Sequence, residues 1–375
     1  MRKSSGAGIV IKSYNLNSIE TVRRLAPATT LFSVLAMYLA VMPVFGQWPE
    51  RPITMVVMYG AGGGTDVVLR SLVAEMAAVT DWRINVINRP GAAGSVATKF
   101  VLNRPNDGYT LLGSSSFGKF ARISGDGESR SWSDWYYMQA ATNLASWAVR
   151  PDSPFKTFAD VVAAAKADPG DITISTSGTG GLWHEMAASV ALAADIELKF
   201  VPYNSGQTAT LAGLNGEVDI AGGGVHEHMQ FIDSGQLVSL QQTSISDIVT
   251  SGGNVMPTIV NYLPEIKNLL PPNGTYDIGI RRDTPLEIIR DVQRAFLSAV
   301  NSENFRKIIA ERNFVIDVLV GEQADRRAAF LEVVSADMFE TLGIPGAKNA
   351  DQLGLPTPEA FDQWWPPAGY EPLGF

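Results

Sequence analysis

From Trp48 onward two rhythms of apolar positions alternate along the chain, one continuous and short, the other repeating every three or four residues. Ile53–Tyr59 is an unbroken apolar and β-branched run, the pattern of a strand buried on both faces. After a glycine-rich stretch, Val68, Leu72 and Met76 recur at helical spacing. Asp66 falls in the first turn, where the helix dipole favours an acid. Arg83–Ile87 and Thr110–Leu112 read as further strands, followed by Ile172–Ser175, Glu197–Val201, Val218–Ala221 and Leu237–Leu240. Thr157 with Asp160 forms a capping-box pattern that opens a helix running through Lys166. Thr284 reads as a cap with Pro285 in the first turn of a helix carrying Ile288, Ile289, Val292, Phe296 and Val300. Two more helices are expected near Glu303–Arg312 and Ala324–Thr341. The alternation predicts an α/β protein built from two parallel-sheet domains. Past Gly343 the pattern dissolves into a tail ending "FDQWWPPAGYEPLGF", expected to pack along the surface or against a partner.

The first 46 residues follow a different logic. Arg23 and Arg24 precede a mostly apolar run from Leu31 to Met42, then Pro43 and a small-residue end at Gly46. That order is the one a cleavable secretory signal shows, and the run is too short to span a membrane comfortably. Cleavage is expected near Gly46–Gln47. The 375 residues carry 29 basic and 38 acidic side chains, a formal net charge of −9. Removing 1–46 takes away five basic residues and one acid, leaving −13. Such an acidic chain offers no general surface for nucleic acid, and no basic run supplies one locally. It contains no cysteine, which excludes disulfides, thiolate catalysis, Cys-ligated zinc and thioether or thioester lipid anchors.

The candidate chemistry sits where the rhythms change. "YGAGGGTD", Tyr59 to Asp66, places a glycine turn between a strand and a helix N-terminus, where unpaired N–H groups and the dipole converge on one spot. A nucleotide P-loop would need Gly-Lys-Ser/Thr there, and the glycines instead run into Thr65-Asp66. A dinucleotide fingerprint would need Gly at Thr65 and an acid at Asn88. A small-anion site, suited to a carboxylate, is what remains. Similar small polar turns end four other strands: "NRPGAAGS" from Asn88, "GSSS" from Gly113, "STSGTGG" from Ser175 leading into Trp183 and His184, and "YNSGQT" from Tyr203. Ligands of open α/β sheets bind beyond the carboxyl ends of the strands, so five such turns describe a cleft lined from two sides.

Taken in order, "WPERPITMVVMYGAGGGTDVVLR", "VINRPGAAGSVATKFV", "PNDGYTLLGSSS", "SPFKTFADVVAAAK", "SGTGGLWHEMA" and "VPYNSGQTATLAGLNGEVDI" resemble the extracytoplasmic solute-binding receptors of the tripartite tricarboxylate transporter family, the Bug-type receptors. The resemblance spans roughly Trp48 to Gly343. It implies a two-domain periplasmic binding-protein fold of type II-like form, with mixed, mostly parallel sheets and a cleft between the domains. It further implies no catalysis, no cofactor, a periplasmic location, a small carboxylated ligand and delivery to membrane permease subunits. The expected division is signal 1–46, domain one at 47–148 and 277–345, domain two at 149–243, a return connection at 244–276 and a tail at 346–375. The chain is expected to cross between domains near Ala148 and to act as a monomer. The family's two binding loops fall on Tyr59, Gly60, Ala61, Gly62, Gly63, Gly64, Thr65 and Asp66, and on Ser177, Gly178, Thr179, Gly180, Trp183 and His184. Gly91, Ala92, Ser114, Ser115 and Tyr203, from the other turns, complete the expected ligand set. Met58-Tyr59 stands where the family usually has Phe-Pro, and Ser205-Gly206 where a double glycine is common, which alters the pocket wall.

Other side chains invite chemistry and lose to plainer roles. His226-Glu227-His228 would share a face on a strand, but it follows glycines and is expected to open a helix, where i and i+2 diverge, so no metal is expected. "GSSSFG" lacks the spacing of a nucleophile elbow, and only three histidines are present. Arg70 is expected to pair with an acid, and Arg89 and Lys119 are the better candidates for cationic ligand contacts. Trp132, Trp135, Tyr136 and Tyr137 are expected to pack in the core and between domains. Against the solute receptor stand a secreted α/β enzyme acting on a small acid and a sensor subunit that binds without transport. The mechanism expected of the receptor is closure of the two domains on a ligand that touches both only when they are shut.

Overall fold

The computed structural model describes residues 48–264, 274–341, 343–344 and 346–374. The expected signal segment and its cleavage point lie outside them. The chain runs β1 (Ile53–Val57), α1 (Gly64–Thr80), β2 (Ile84–Asn88), α2 (Ser95–Leu102), β3 (Thr110–Ser115), α3 (Phe120–Ile123) and β4 (Trp135–Thr142). It continues with β5 (Ala145–Val149), α4 (Phe158–Ala167), β6 (Thr173–Ser177), α5 (Leu182–Ala193), β7 (Lys199–Tyr203), α6 (Gly206–Asn215), β8 (Ala221–Gly224), α7 (Val225–Asp233) and β9 (Val238–Gln242). A short pair, β10 (Ile248–Val249) and β11 (Val255–Met256), precedes β12 (Thr275–Arg281), α8 (Leu286–Val300), α9 (Glu303–Glu311), β13 (Val315–Leu319) and α10 (Glu322–Thr341). Two one-turn helices, α11 (Ala350–Leu353) and α12 (Phe361–Trp364), lie in the tail.

The first lobe is built on a six-stranded sheet in the order β13-β4-β12-β3-β1-β2. Only β2, β1 and β3 are parallel; β12 runs antiparallel to β3, β4 to β12 and β13 to β4. Alternate residues of β1 supply opposite faces, as strand geometry requires. Ile53, Met55 and Val57 pack with Leu69, Leu72 and Met76 of α1 and Val292 and Phe296 of α8. Val56 and the following Met58 face α2, the Trp135–Tyr137 pair and Ala328 of α10.

The second lobe pairs β6 with β7 in parallel and sandwiches β5 between β8 and β9, antiparallel to both. A parallel bridge from Ile174 to Ile220 links the two groups. Trp147, Phe158, Ile174, Val190 and Leu240 form its core. The capping box at Thr157 is present, with the Asp160 amide donating to the Thr157 hydroxyl. Both sheets are mixed, as the family resemblance implied, with more antiparallel pairing than the alternation of strands and helices alone suggested. Four of their antiparallel members, β4, β5, β12 and β13, are strands that periodicity did not reveal; β4 and β5 are buried along their whole length and show no alternation. Pro285 is the cap of α8 rather than its first-turn residue.

The chain passes from the first sheet to the second at Asn143 and Leu144, ahead of Ala148. Between the lobes lies a third apolar cluster in which Leu182, Trp183 and Met186 of α5 meet Phe120, Ile123, Val333 and Phe339. Two buried ion pairs run through it. Lys119 Nζ donates to both Glu185 carboxylate oxygens at 3.0 Å and to the Ser335 hydroxyl. Arg122 pairs with Glu332 and donates to the Leu353 carbonyl at 2.6 Å. The tail folds onto its own chain: Phe361 is buried, Trp364 sets its ring edge-on to Trp132 at 5.8 Å, and Tyr370 donates to Asp325 at 2.8 Å. Among the described residues no helix is long and apolar enough to cross a membrane.

Candidate ligand-binding site

The glycine turn after β1 does what its sequence suggests. Gly63 caps α1 with extended backbone (φ −74°, ψ 168°), and Gly62 takes φ +81°. Side chains are unwelcome at the next position, because a Cβ on Gly64 would fall 2.3 Å from the Tyr276 hydroxyl and 2.4 Å from His226 Nε2. Asp66 turns back on its own loop, accepting from the Gly62 amide at 3.1 Å, from Asn88 Nδ2 at 2.8 Å and from Arg70 at 2.6 Å. Burial works against its charge, but Arg70, Asn88 and the Gly62 amide outweigh it and hold the carboxyl below the usual range. Asp66 thus ties the loop and is already partnered; Arg70 is its partner.

Opposite this loop stand the strand ends of the second lobe. The Gly60 amide donates to the Asn204 carbonyl at 3.2 Å, and Ser205 caps α6 by accepting from the Thr208 amide. The turn after β6 faces the turn after β2, so that a Cβ on Gly178 would lie 3.8 Å from Ala93 Cα. His184 serves its own turn, with Nδ1 accepting from the Gly180 amide at 2.8 Å and the ring 4.4 Å from that of Phe200. Burial pushes its pKa down to about 4, so the imidazole is neutral at physiological pH.

Where the loops meet is a cavity of about 10 Å³ lined by Tyr59, Gly63, Gly64, Thr65, Ser177, Leu182, Trp183, Gly206, Glu227 and Tyr276. Six of these are expected ligand residues drawn together from two strand ends of opposite lobes. Tyr59 and Tyr276 are buried and neither hydroxyl makes a well-formed hydrogen bond. A second cavity, of about 260 Å³, adjoins it and is lined by Gly62, Val67, Gln207, His226, Glu227, Gln230 and Arg312. Glu227 lies in the wall of both.

Glu227 is the group that sequence reasoning missed. It is the third residue of α7, and its Oε2 accepts from the amide of the cap residue Gly224 at 2.8 Å. Its Oε1 reaches the Gly64 amide at 3.4 Å and lies 3.5 Å from His226 Nε2. Burial opposes ionisation, yet His226 and the Gly224 amide hold the carboxyl below its ordinary range. A carboxylate of the protein therefore sits beside the amides expected to serve a ligand carboxylate. The His-Glu-His stretch drew attention only as a metal candidate. On α7 its members diverge as expected: His228 Nδ1 meets the Ser146 hydroxyl at 3.1 Å, and His226 packs 4.2 Å from Phe314. Among the described residues no group of three or more His, Asp or Glu could hold a metal ion.

Several expected contacts lie elsewhere. Ser114 and Ser115 are buried within the first lobe; Ser114 lies beside the Asp277 carbonyl, and the Ser115 amide meets Met58 Sδ. Consecutive on β3, they face opposite sides of the sheet, Ser114 level with Asp277 and Ser115 level with Tyr276 of β12. Ala61, Ala92 and Thr179 are exposed on the rims of their turns, and Gly91 sits beside Val96. The Tyr203 hydroxyl turns away to Glu217 at 3.2 Å. Arg89 lies over the Phe100 ring at 3.8 Å, and Lys119 belongs to the Glu185 pair. Neither cation lines either of these two cavities.

Two mixed α/β lobes whose glycine-rich strand ends meet at a buried chamber define a two-domain periplasmic binding-protein fold. Solved structures share it: BugD, a periplasmic binding protein, superposes with a TM-score of 0.71 at 21% identity over 80% of this chain and 100% of its own. MatC from Rhodopseudomonas palustris, solved with bound malate, gives 0.66 at 18% identity over 78% and 98%. A UPF0065 protein from the gbd 5′ region of Cupriavidus necator is 24% identical over 86% of this chain and 98% of its own. The chain belongs to the tripartite tricarboxylate transporter family receptors, whose family model matches residues 68–332. This is a family of periplasmic solute-binding receptors, not of enzymes.

Proposed function

We propose that this chain is exported by a signal cleaved near Gly46, captures a small carboxylated solute between its lobes, and presents it to membrane permease subunits. The observation that carries the reading is the convergence of the Gly63–Thr65 helix N-terminus, Ser177 and Gly206, from both lobes, on one buried chamber. Amides and hydroxyls aimed at one point suit a carboxylate, each charge-assisted hydrogen bond contributing roughly 1.5–3 kcal/mol net. MatC, which shares the fold, holds malate. The inner chamber has room for about one water, so capture requires the lobes to part and then shut around the solute.

A thermal-shift screen across small organic acids tests the reading. A ligand at 100 times its dissociation constant adds about 2.7 kcal/mol to the stability of the bound form. Gly63→Val supplies the control: a Cβ at Gly63 lies 3.4 Å from Ser205 Cβ and 3.8 Å from Glu227 Oε1, so the valine branches intrude on the chamber. The variant is expected to fold and to lose the shift. A shift retained in full by folded Gly63→Val would overturn the site.

A further inference from the structure

We propose that Glu227 makes the site selective for solutes that carry an ammonium group beside their carboxylate, α-amino acids above all, over the corresponding simple acids. This rests on the carboxylate-receptor reading and sharpens it. A ligand carboxylate held by the α1 N-terminus would share a buried chamber with the Glu227 carboxylate, which reaches the same Gly64 amide at 3.4 Å. Two carboxylates in one water-poor space do not both stay ionised unless each is balanced, and His226, 3.5 Å from Glu227, can balance one at most.

Three resolutions exist, and the geometry favours one. Glu227 could take up a proton, but the Gly224 amide at 2.8 Å and His226 at 3.5 Å both favour its charged form. It could swing out, but it is seated. A Cβ on Gly206 would fall 2.0 Å from Oε1 and one on Gly223 2.9 Å from Oε2, so two glycines make room for this carboxylate. Leaving would also strip the α7 cap amide of its partner. The remaining resolution is that the ligand brings the cation. A carboxylate offers about four acceptor sites, so one already bonded to Gly224 and near Gly64 and His226 keeps capacity for an ammonium donor. Glu227 also borders the cavity of about 260 Å³, where Gln207, Gln230 and Arg312 would receive the rest of the solute.

The test compares matched probes by isothermal titration: L-aspartate with succinate, L-glutamate with glutarate, and L-leucine with 4-methylpentanoate. Wild-type protein is expected to bind at least one amino acid about 30-fold or more tightly than its deaminated partner, the discrimination expected of a buried charge pair. Glu227→Gln is expected to collapse that ratio to within a few-fold, chiefly by weakening the amino acid. A wild type that binds the deaminated acids equally or better overturns the proposal without needing the variant. So does a folded Glu227→Gln that keeps the ratio. Binding of acids without amino preference sinks only this inference, whereas failure of every carboxylate probe alongside binding of uncharged solutes sinks the receptor reading itself.

Discussion

Replacing Glu185 by glutamine should cost the protein more than any comparable surface change, because the partner it abandons cannot reach water. Lys119 Nζ lies 3.0 Å from both Glu185 oxygens, with side-chain exposures of 3% and 9% for the pair. Burial depresses the Lys119 pKa and Glu185 offsets part of that. Removing one member of such a pair strands an uncompensated charge, a loss of about 3–5 kcal/mol. At about 2.1 cal/mol/K per residue over roughly 330 residues, that is a fall in Tm of roughly 4–7 °C. The sign of its pH dependence follows from the lysine. Without Glu185 its folded pKa drops further below the unfolded value, so the folded state sheds the proton first as pH rises. The deficit of Glu185→Gln should therefore narrow from pH 7 toward pH 10. Adding Lys119→Met should recover most of the loss, since it removes the stranded charge. Thermal melts of the single and double variants across that range provide the measurement. A single variant within about 1 kcal/mol of wild type, or a deficit that ignores pH, would refute the view that this pair is dry and bridges the lobes.

Other outcomes follow from the same interior. Asp277 accepts from the Phe117 amide at 2.8 Å and the Thr275 hydroxyl at 2.9 Å, its other oxygen is unpartnered, and burial raises its pKa to about 7. A raised carboxyl keeps its proton when folded and loses it when unfolded, so it makes stability fall as pH climbs from about 4 to about 7. Asp277→Asn should remove up to ~4 kcal/mol of that fall, seen as a flatter Tm profile between pH 5 and pH 8; an unchanged slope would rule Asp277 out as its source. Gly206→Ala places a Cβ 2.0 Å from Glu227 Oε1 and must displace that carboxylate. It should weaken solute binding at least tenfold by titration in protein that still melts cooperatively, and undiminished affinity would remove Glu227 from the site.

Much of this could be read from local pattern, and the failures share one cause. β1, the glycine turn, α1 and the Thr157 capping box are specified by residues within a few positions of one another, so spacing and cap chemistry suffice. Strands β4 and β12 pair with each other across more than a hundred residues and are buried on both faces, so neither shows the alternation that marks a half-exposed strand. The site divides in the same way. Its glycine turns announce themselves, because backbone that must be approached closely excludes side chains nearby in sequence. Glu227 does not, because its carboxylate meets the Gly64 amide across 163 residues. Beside a glycine cap it reads locally as an ordinary third-position acid. Its importance arises only when α7 and α1 are brought end to end. The chamber that glycines open for an anion is then already bordered by one, and charge balance rather than shape decides what may join it.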